Sequence, residues 1–269
     1  MVPFIKASAC GNDFLIIEGE HAPPDLAEFS RAICDRHNGV GADGVEWIFP
    51  PDGEAVPGAG CNIDIRARLI NADGSEAEIS GNGTRCVAAC LVSQGAPRKL
   101  TIQTGAGLRR CELISRESNV FEFEMEMGVP RTGESFAVTT SRGAIQGMPV
   151  STGNPHFVVF TPEFPERWQQ LGHEIGGQKV FTEGVNVEFV KVVDSGNLQV
   201  RFYERGAGET ESSGTGSCAS AVAAIASGQA TSPLHVHAPG GTQVVRWHDG
   251  DQVFLRGPAT IVCRGAYLL

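Results

Sequence analysis

Residues 68–83, Arg68-Leu-Ile-Asn-Ala-Asp-Gly-Ser-Glu-Ala-Glu-Ile-Ser-Gly-Asn-Gly83, recur without a gap as Arg201-Phe-Tyr-Glu-Arg-Gly-Ala-Gly-Glu-Thr-Glu-Ser-Ser-Gly-Thr-Gly216. At this offset of 133, six of the 16 positions agree: Arg68/Arg201, Glu76/Glu209, Glu78/Glu211, Ser80/Ser213, Gly81/Gly214 and Gly83/Gly216. A looser echo pairs Gly11-Asn-Asp-Phe14 with Gly153-Asn-Pro-His-Phe157, each leading into an apolar strand. A repeat this long, close to half of the 269 residues, means two similar domains and not a solenoid.

Each copy reads as a strand, a polar Gly-rich turn and an Ala-rich helix: Ser80-Gly-Asn-Gly-Thr-Arg-Cys-Val-Ala-Ala and Ser213-Gly-Thr-Gly-Ser-Cys-Ala-Ser-Ala-Val-Ala-Ala. A Ser-Gly-x-Gly opening offers unpaired backbone N–H groups and the positive end of the helix dipole, which together bind an anion such as a carboxylate. Ser80 and Ser213 can equally serve as ordinary N-caps. Two such openings related by a repeat suit one small anionic ligand held between two Ser side chains. Inversion of an α-amino acid needs that arrangement, because one group removes the α-proton while another delivers one from behind. The helix dipoles would stabilise the carboxylate as it gains enolate character.

Strands dominate the rest. Short alternating or β-branched runs fall at Phe14–Glu18, Leu100–Gln103, Val120–Met127, His156–Thr161, Val185–Val193, Leu198–Tyr203, Gln243–Trp247 and Gln252–Arg256. Helices are expected at Asp25–Arg36, from after Gly83 to Leu91, at Trp168–Leu171 and at Ser217–Ser227. That balance predicts an α+β fold. A seam at Met127–Thr132 divides the chain into domains 1–126 and 127–259, with a last strand, 260–269, returning to the first domain.

The net charge of -10 and a pI near 5.2 argue against nucleic acid or an anionic membrane as the main partner. Hydrophobic residues at 41% against 19% charged are enough to build a core and exclude wholesale disorder. No apolar run approaches the roughly 18 residues of a membrane span, and Met1–Gly11 lacks a signal-peptide plan. A soluble cytoplasmic protein is expected. The eight cysteines are scattered with no C-x-x-C pair, so free and mostly buried thiols are expected. His235 and His237 share one face of a strand without an evident third ligand, so no metal is expected. Asp35, Arg36 and Asp43 read as loop-forming residues.

Several motifs now resemble a known family. Gly11-Asn-Asp-Phe14, Cys34-Asp-Arg-His-Asn-Gly-Val-Gly-Ala-Asp-Gly44, Asn71-Ala-Asp-Gly-Ser-Glu76, Gly81-Asn-Gly83, Gly153-Asn-Pro-His156, Asn186-Val-Glu188 and Tyr203-Glu-Arg-Gly-Ala-Gly-Glu-Thr210 look like diaminopimelate epimerase, in order along nearly the whole chain. A late Pro239-Gly-Gly241 and Gly257-Pro258 fit the same pattern. The resemblance implies two pseudo-symmetric α+β domains, each a β-sheet wrapped around a central helix, with an active-site cleft between them. It implies a homodimer that needs no pyridoxal phosphate, no metal and no other cofactor, and that acts on a small amino-acid substrate. The implied reaction takes LL- to meso-diaminopimelate in lysine and cell-wall precursor synthesis. Carried over to this chain, substrate-binding residues fall at Asn12, Asn71, Gly81, Asn82, Asn154, Asn186, Glu204, Arg205, Gly214 and Thr215. Asn side chains and an Arg–Glu pair can fix a zwitterion and a distal amino-acid group. His156 and Glu204 join Ser80 and Ser213 as the acid/base set, with the imidazole orienting a hydroxyl or thiol.

The chain departs from the family pattern at the two acid/base positions. The family's two catalytic cysteines immediately precede the Gly-x-Gly turns, and here both are serine, Ser80 and Ser213. A thiol has an ordinary pKa near 8.5 that a helix N-terminus depresses. An alcohol lies near the roughly 15.7 of bulk water. Cys86 and Cys218 are poor substitutes: Cys86 sits roughly 9 Å along the helix from Ser80 and about 240° around it. Further departures are Gly44, where many relatives carry a longer polar residue, and Gln178, where they often carry His. Three readings follow from the serines: paired Cys→Ser changes in an epimerase, another racemase or hydroxyproline-type dehydratase of this fold, or an amino-acid-binding homologue without turnover.

Overall fold

The structure is a computed structural model and describes residues 1–51 and 63–268; Cys61 and Leu269 lie outside them. The chain forms two compact units: Met1–Met125 with Gly257–Leu269, and Glu126–Arg256.

The first unit runs β1 (Val2–Ala9), β2 (Asn12–Glu18), α1 (Leu26–Cys34), β3 (Gly44–Phe49), β4 (Ile65–Asn71), β5 (Glu76–Ala77), α2 (Gly81–Ser93), β6 (Lys99–Thr104), β7 (Gly107–Glu117) and β8 (Val120–Gly128). The second runs β9 (Arg131–Thr132), β10 (Phe136–Thr140), β11 (Gly143–Ser151), β12 (Pro155–Phe160), α3 (Trp168–Gly176), β13 (Asn186–Asp194), β14 (Asn197–Glu204), β15 (Gly208–Thr210), α4 (Gly214–Ala226), β16 (Leu234–Ala238) and β17 (Gly241–Arg246). A long β18 (Val253–Tyr267) pairs with β17 through Phe254–Arg256 and with β1 through Thr260–Tyr267.

The repeat extends to the connectivity. β2 runs parallel to β3 with α1 between them in sequence, as β12 runs parallel to β13 with α3 between. β4 is antiparallel to β3 and β5 and parallel to β6; β14 is antiparallel to β13 and β15 and parallel to β16. The parallel neighbours β4/β6 and β14/β16 need a crossover, which α2 and α4 supply. In the first unit the ladder also joins β7 to β8 and β18 to both β8 and β1. Asn119 beside β8 and Ile261 on β18 exchange hydrogen bonds there.

Both central helices are wrapped. Every residue of α2 from Gly81 to Cys90 is buried, and in α4 every residue from Gly214 to Ala224 except Thr215 is buried. A helix covered on all sides cannot use a single apolar stripe. Its sequence is instead a run of small residues, Ala88-Ala89 and Ala219-Ser-Ala-Val-Ala-Ala224, that lets strands approach from every direction. The flanking helices α1 and α3 are amphipathic. They set Phe29 and Ile33 against Leu15, Val45 and Trp47, and Trp168, Leu171 and Ile175 against Phe157 and Phe189.

Some expectations need correction. β8 has one covered face: Phe121, Phe123, Met125 and Met127 are buried, as its alternating Val-Phe-Glu-Phe-Glu-Met pattern requires. α3 continues to Gly176, beyond Leu171, because Ile175 completes its apolar stripe. Strands not expected from the sequence appear at β1, β3, β7, β10 and β11, and β4 begins at Ile65, before the strand expected from Arg68. Several of these carry charged residues among their apolar ones, such as Glu46 in β3 and Arg66 at the start of β4, which breaks the sequence signal. Among the described residues no helix is long and apolar enough to cross a membrane.

Candidate active site

In the first unit the β1–β2 turn passes through Gly11 at φ +87°, a left-handed conformation that favours glycine. This turn presents Asn12. The Asn12 Nδ2 donates to Asp43 Oδ2 at 3.0 Å, and its Oδ1 accepts from Asn82 Nδ2 at 2.8 Å. Asp43 also accepts from the Asp13 backbone N–H and from Arg36, whose guanidinium bridges Asp13 and Asp43 at 2.7 Å each. Lys6 adds a 2.9 Å ion pair to Asp13. Burial pushes the Asp13 carboxyl up, but the Arg36 and Lys6 hydrogen bonds outweigh it and hold the group below the ordinary range. Asp43 and Arg36 therefore do fix a loop, and that loop holds Asn12. Asn71 ends β4 and donates to Ser75 Oγ at 3.0 Å, while the next residue, Ala72, donates its N–H to Asp43 O.

Ser80 caps α2, its Oγ accepting from the Gly83 N–H at 3.1 Å. Two buried ionisable groups flank this opening. Arg85 is fully buried; it donates to Asn82 Oδ1 at 2.5 Å and to Pro258 O at 3.3 Å, and its Nη1 has no partner. Glu46, on β3, is only 3% exposed. A Cβ placed on Gly83 would overlap Glu46 Oε1 and lie 3.2 Å from the Ser80 Cβ, so carboxyl and serine flank one point at the helix start.

The second unit repeats the plan with different chemistry. Gly153, at φ +104°, turns the chain to present Asn154. Asn154 Nδ2 donates to Thr215 Oγ1 at 3.4 Å, the counterpart of the Asn82–Asn12 bond. Ser213 caps α4, accepting from Gly216 N–H at 3.2 Å. His156 stands on β12 where the first unit has Phe14. Its Nδ1 meets Glu188 Oε1 at 2.7 Å and its Nε2 meets Asn154 Oδ1 at 2.9 Å, so both ring nitrogens face oxygen acceptors. The His156 and Glu188 side chains have no solvent exposure. Burial raises the Glu188 carboxyl, His156 opposes that rise, and Glu188 Oε2 is unpartnered.

Asn186 lies opposite His156 in the β12–β13 register and donates to Pro155 O, while its Oδ1 accepts from the Arg205 N–H at 2.9 Å. The Arg205 guanidinium turns to Glu183 O, and Glu204 accepts from Thr210 Oγ1 at 2.8 Å. Glu204 and Arg205, both expected to hold polar groups of a ligand, take these partners and not each other. Successive side chains at a strand end point to opposite faces, which separates neighbours of opposite charge.

Other residues take structural places. Gln178 donates to Thr139 O and Glu174 O and closes the end of α3. A Cβ on Gly44 would lie 2.9 Å from Ile70 O, so β3 pairs too closely there for a longer side chain without adjustment. His237 bonds Thr242 and Asn197, and its ring stacks on His235; no metal-sized group of ligands forms around them among the described residues. Cys86 is wholly buried, and desolvation pushes its thiol far above the ordinary value; Cys218 is buried as well.

Sequence reasoning missed Glu46, Arg85 and the His156–Glu188 pairing. The looser echo contained the signal: its offset of 142, from Gly11-Asn12 to Gly153-Asn154, also carries Val45-Glu46 onto Val187-Glu188. Each unit carries a capped helix opening, an amide presented by its own turn, and a buried carboxyl beside the third residue of the opening.

The family model described as Diaminopimelate epimerase matches residues 4–132 and 148–262. A diaminopimelate epimerase of Pelotomaculum thermopropionicum is 35% identical over 283 aligned positions, covering 98% of this chain and 98% of the relative. Among solved structures, a PhzF-family phenazine biosynthesis protein of Bacillus anthracis superposes with a TM-score of 0.75 at 16% identity, covering 100% and 99% of the two chains. A hydroxyproline epimerase of Agrobacterium vitis, with bound trans-4-hydroxy-L-proline, superposes at 0.73 and 16% identity, covering 99% and 92%.

Proposed function

Because the chain belongs to the diaminopimelate epimerase family, we propose that it interconverts LL- and meso-diaminopimelate by moving a proton at the α-carbon without a cofactor. The observation that carries the reading is the duplicated helix opening: Ser80-Gly-Asn-Gly on α2 and Ser213-Gly-Thr-Gly on α4, each capped and each flanked by an amide from the same turn. The N–H groups around Gly81-Asn82 and Gly214-Thr215 hold the reacting carboxylate and stabilise it as negative charge spreads onto it. Asn12, Asn71, Asn154, Asn186, Glu204 and Arg205 bind the remaining polar groups of the substrate. Proton removal and delivery belong to Ser80 and Ser213, supported by His156 and Glu204. The chain works as a homodimer in the cytoplasm.

A second reading is favoured by one observation. Serine stands at both acid/base positions, and a hydroxyl is a weak base at neutral pH. The chain then binds an amino acid without turnover, or acts on a related substrate. Hydrogen–deuterium exchange at the α-carbon separates the cases. Solvent deuterium entering diaminopimelate supports the epimerase. Deuterium entering only other amino acids, proline derivatives included, supports a racemase or dehydratase of this fold. Binding without exchange supports the silent homologue.

A further inference from the structure

Resting on the epimerase reading, we infer that Glu46 is the positioning residue and proton partner of Ser80, the first unit's counterpart of Glu188 in the second. The two carboxylates occupy matching places. Glu46 is two residues beyond Gly44, which pairs with Phe14, and Glu188 is two residues beyond Asn186, which pairs with His156. Each reaches the third residue of its helix opening: a Cβ on Gly83 would overlap Glu46 Oε1, and one on Gly216 would lie 2.9 Å from Glu188 Oε1. In the second unit His156 takes the carboxylate. In the first, Phe14 stands in place of the imidazole, and the acid lies beside the Ser80–Gly83 opening without it.

Among the described residues the Glu46 side chain shows no ion pair and no hydrogen bond, and desolvation is what moves its carboxyl; a buried carboxyl so placed is costly, and a chain that needed only volume here would place an apolar residue. Desolvation alone pushes the Glu46 carboxyl up to about 8, so both of its protonation states are accessible near neutral pH. A proton partner works best under that condition. Ser80 Oγ accepts from the Gly83 N–H, and the Ser80 Cβ and Glu46 Oε1 both border the place that a Cβ on Gly83 would take.

As Ser80 Oγ takes the α-proton, the hydroxyl proton passes to a Glu46 oxygen. The Cα–H bond breaks, its electron pair stays on the substrate, Ser80 remains a neutral alcohol, and Glu46 goes from carboxylate to acid. The reverse transfer delivers a proton. This relay relieves the serine of any need to become a free alkoxide.

The test compares Glu46→Gln and Glu46→Leu with the unaltered protein in α-carbon exchange on both diaminopimelate isomers, with thermal midpoints recorded. The expected result is kcat lower by at least about tenfold, KM changed by less than about threefold, and an equal or higher thermal midpoint for Glu46→Leu. Turnover by Glu46→Leu at the unaltered rate overturns the assignment. If the unaltered protein catalyses no exchange, the epimerase reading falls and Glu46 is judged at residue 80 itself. With Ser80→Cys in place, alkylation of that thiol by iodoacetamide at pH 9, followed by peptide mass, should speed up several-fold when Glu46→Gln is added, because a carboxylate opposes a neighbouring thiolate. Equal rates overturn the pairing. Glu46→Asp, which keeps the acid but withdraws it from residue 80, replaces either variant that does not fold and is expected to show the same losses.

Discussion

At the scale of single residues, each unit sets a serine and a buried glutamate at its helix opening, and the units differ in what stands beside the glutamate, His156 in one and Phe14 in the other. His156 and Glu188 form a fully buried pair at 2.7 Å. Such pairs add little net stability, but breaking one leaves a charge without compensation. His156→Ala should therefore cost about 3–5 kcal/mol, read as a lower midpoint in urea with an unchanged slope. Replacing both partners together should recover part of the loss. Glu46 gives a pH signature. Its folded pKa, about 8, lies above the ordinary 4.5, so between those values the folded chain holds a proton that the unfolded chain has released. Its contribution is present in full below about pH 4.5 and is lost as pH rises through about 8. Melting temperature should thus decline over this window, and Glu46→Leu should flatten the decline. An unchanged slope would mean that Glu46 has a partner that keeps it ionised.

At the scale of elements, the glycines after each serine are as constrained as the serine. Gly83→Ala would drive a Cβ into the Glu46 carboxyl, whereas Gly216→Ala would meet Glu188 Oε1 and Phe202 Cδ1 at 2.9 Å. Overpacking of this kind costs about 1–3 kcal/mol. Gly83→Ala should be the more damaging of the two in a side-by-side thermal melt, and equal midpoints would contradict the placement of Glu46. The helix openings themselves were legible in the sequence, because Ser-Gly-x-Gly before an Ala-rich run is local chemistry that recurs at 133 residues' distance. Asn12 and Asn154 were legible for the same reason. The strand bearing Glu46 and the start of β4 at Arg66 were not, because their charged residues interrupt the alternation that marks a strand. The intramolecular partners of Arg205 and Glu204, Glu183 and Thr210, were also hidden, because the fold around the end of β14 sets them. Long-range pairing, such as His156 with Glu188, is set by strand register, and no local pattern encodes it.

At the scale of the whole molecule, the sequence repeat became a repeat of topology, with matching parallel and antiparallel partners from β2 to β7 and from β12 to β17. Val120 and Val262 are large apolar residues left exposed on β8 and β18, strands that pair with each other in the sheet. Light scattering at micromolar concentration should give twice the 28.5 kDa of one chain, and a mass of one chain would contradict the homodimer.

The measurement that tests the account most directly is deuterium entry at the α-carbon of diaminopimelate, catalysed by the protein carrying Ser80→Cys and Ser213→Cys together. Both serines cap helices, at the places where the resemblance to the family puts acid/base thiols, and a thiolate at a helix N-terminus matches the working pH where an alcohol does not. The swap changes little volume and should cost less than about 1.5 kcal/mol. The account predicts exchange and epimerisation faster by several orders of magnitude in the double variant, with each single variant far behind, because inversion needs an acid on one face and a base on the other. A folded double variant that binds diaminopimelate and still admits no deuterium would contradict it.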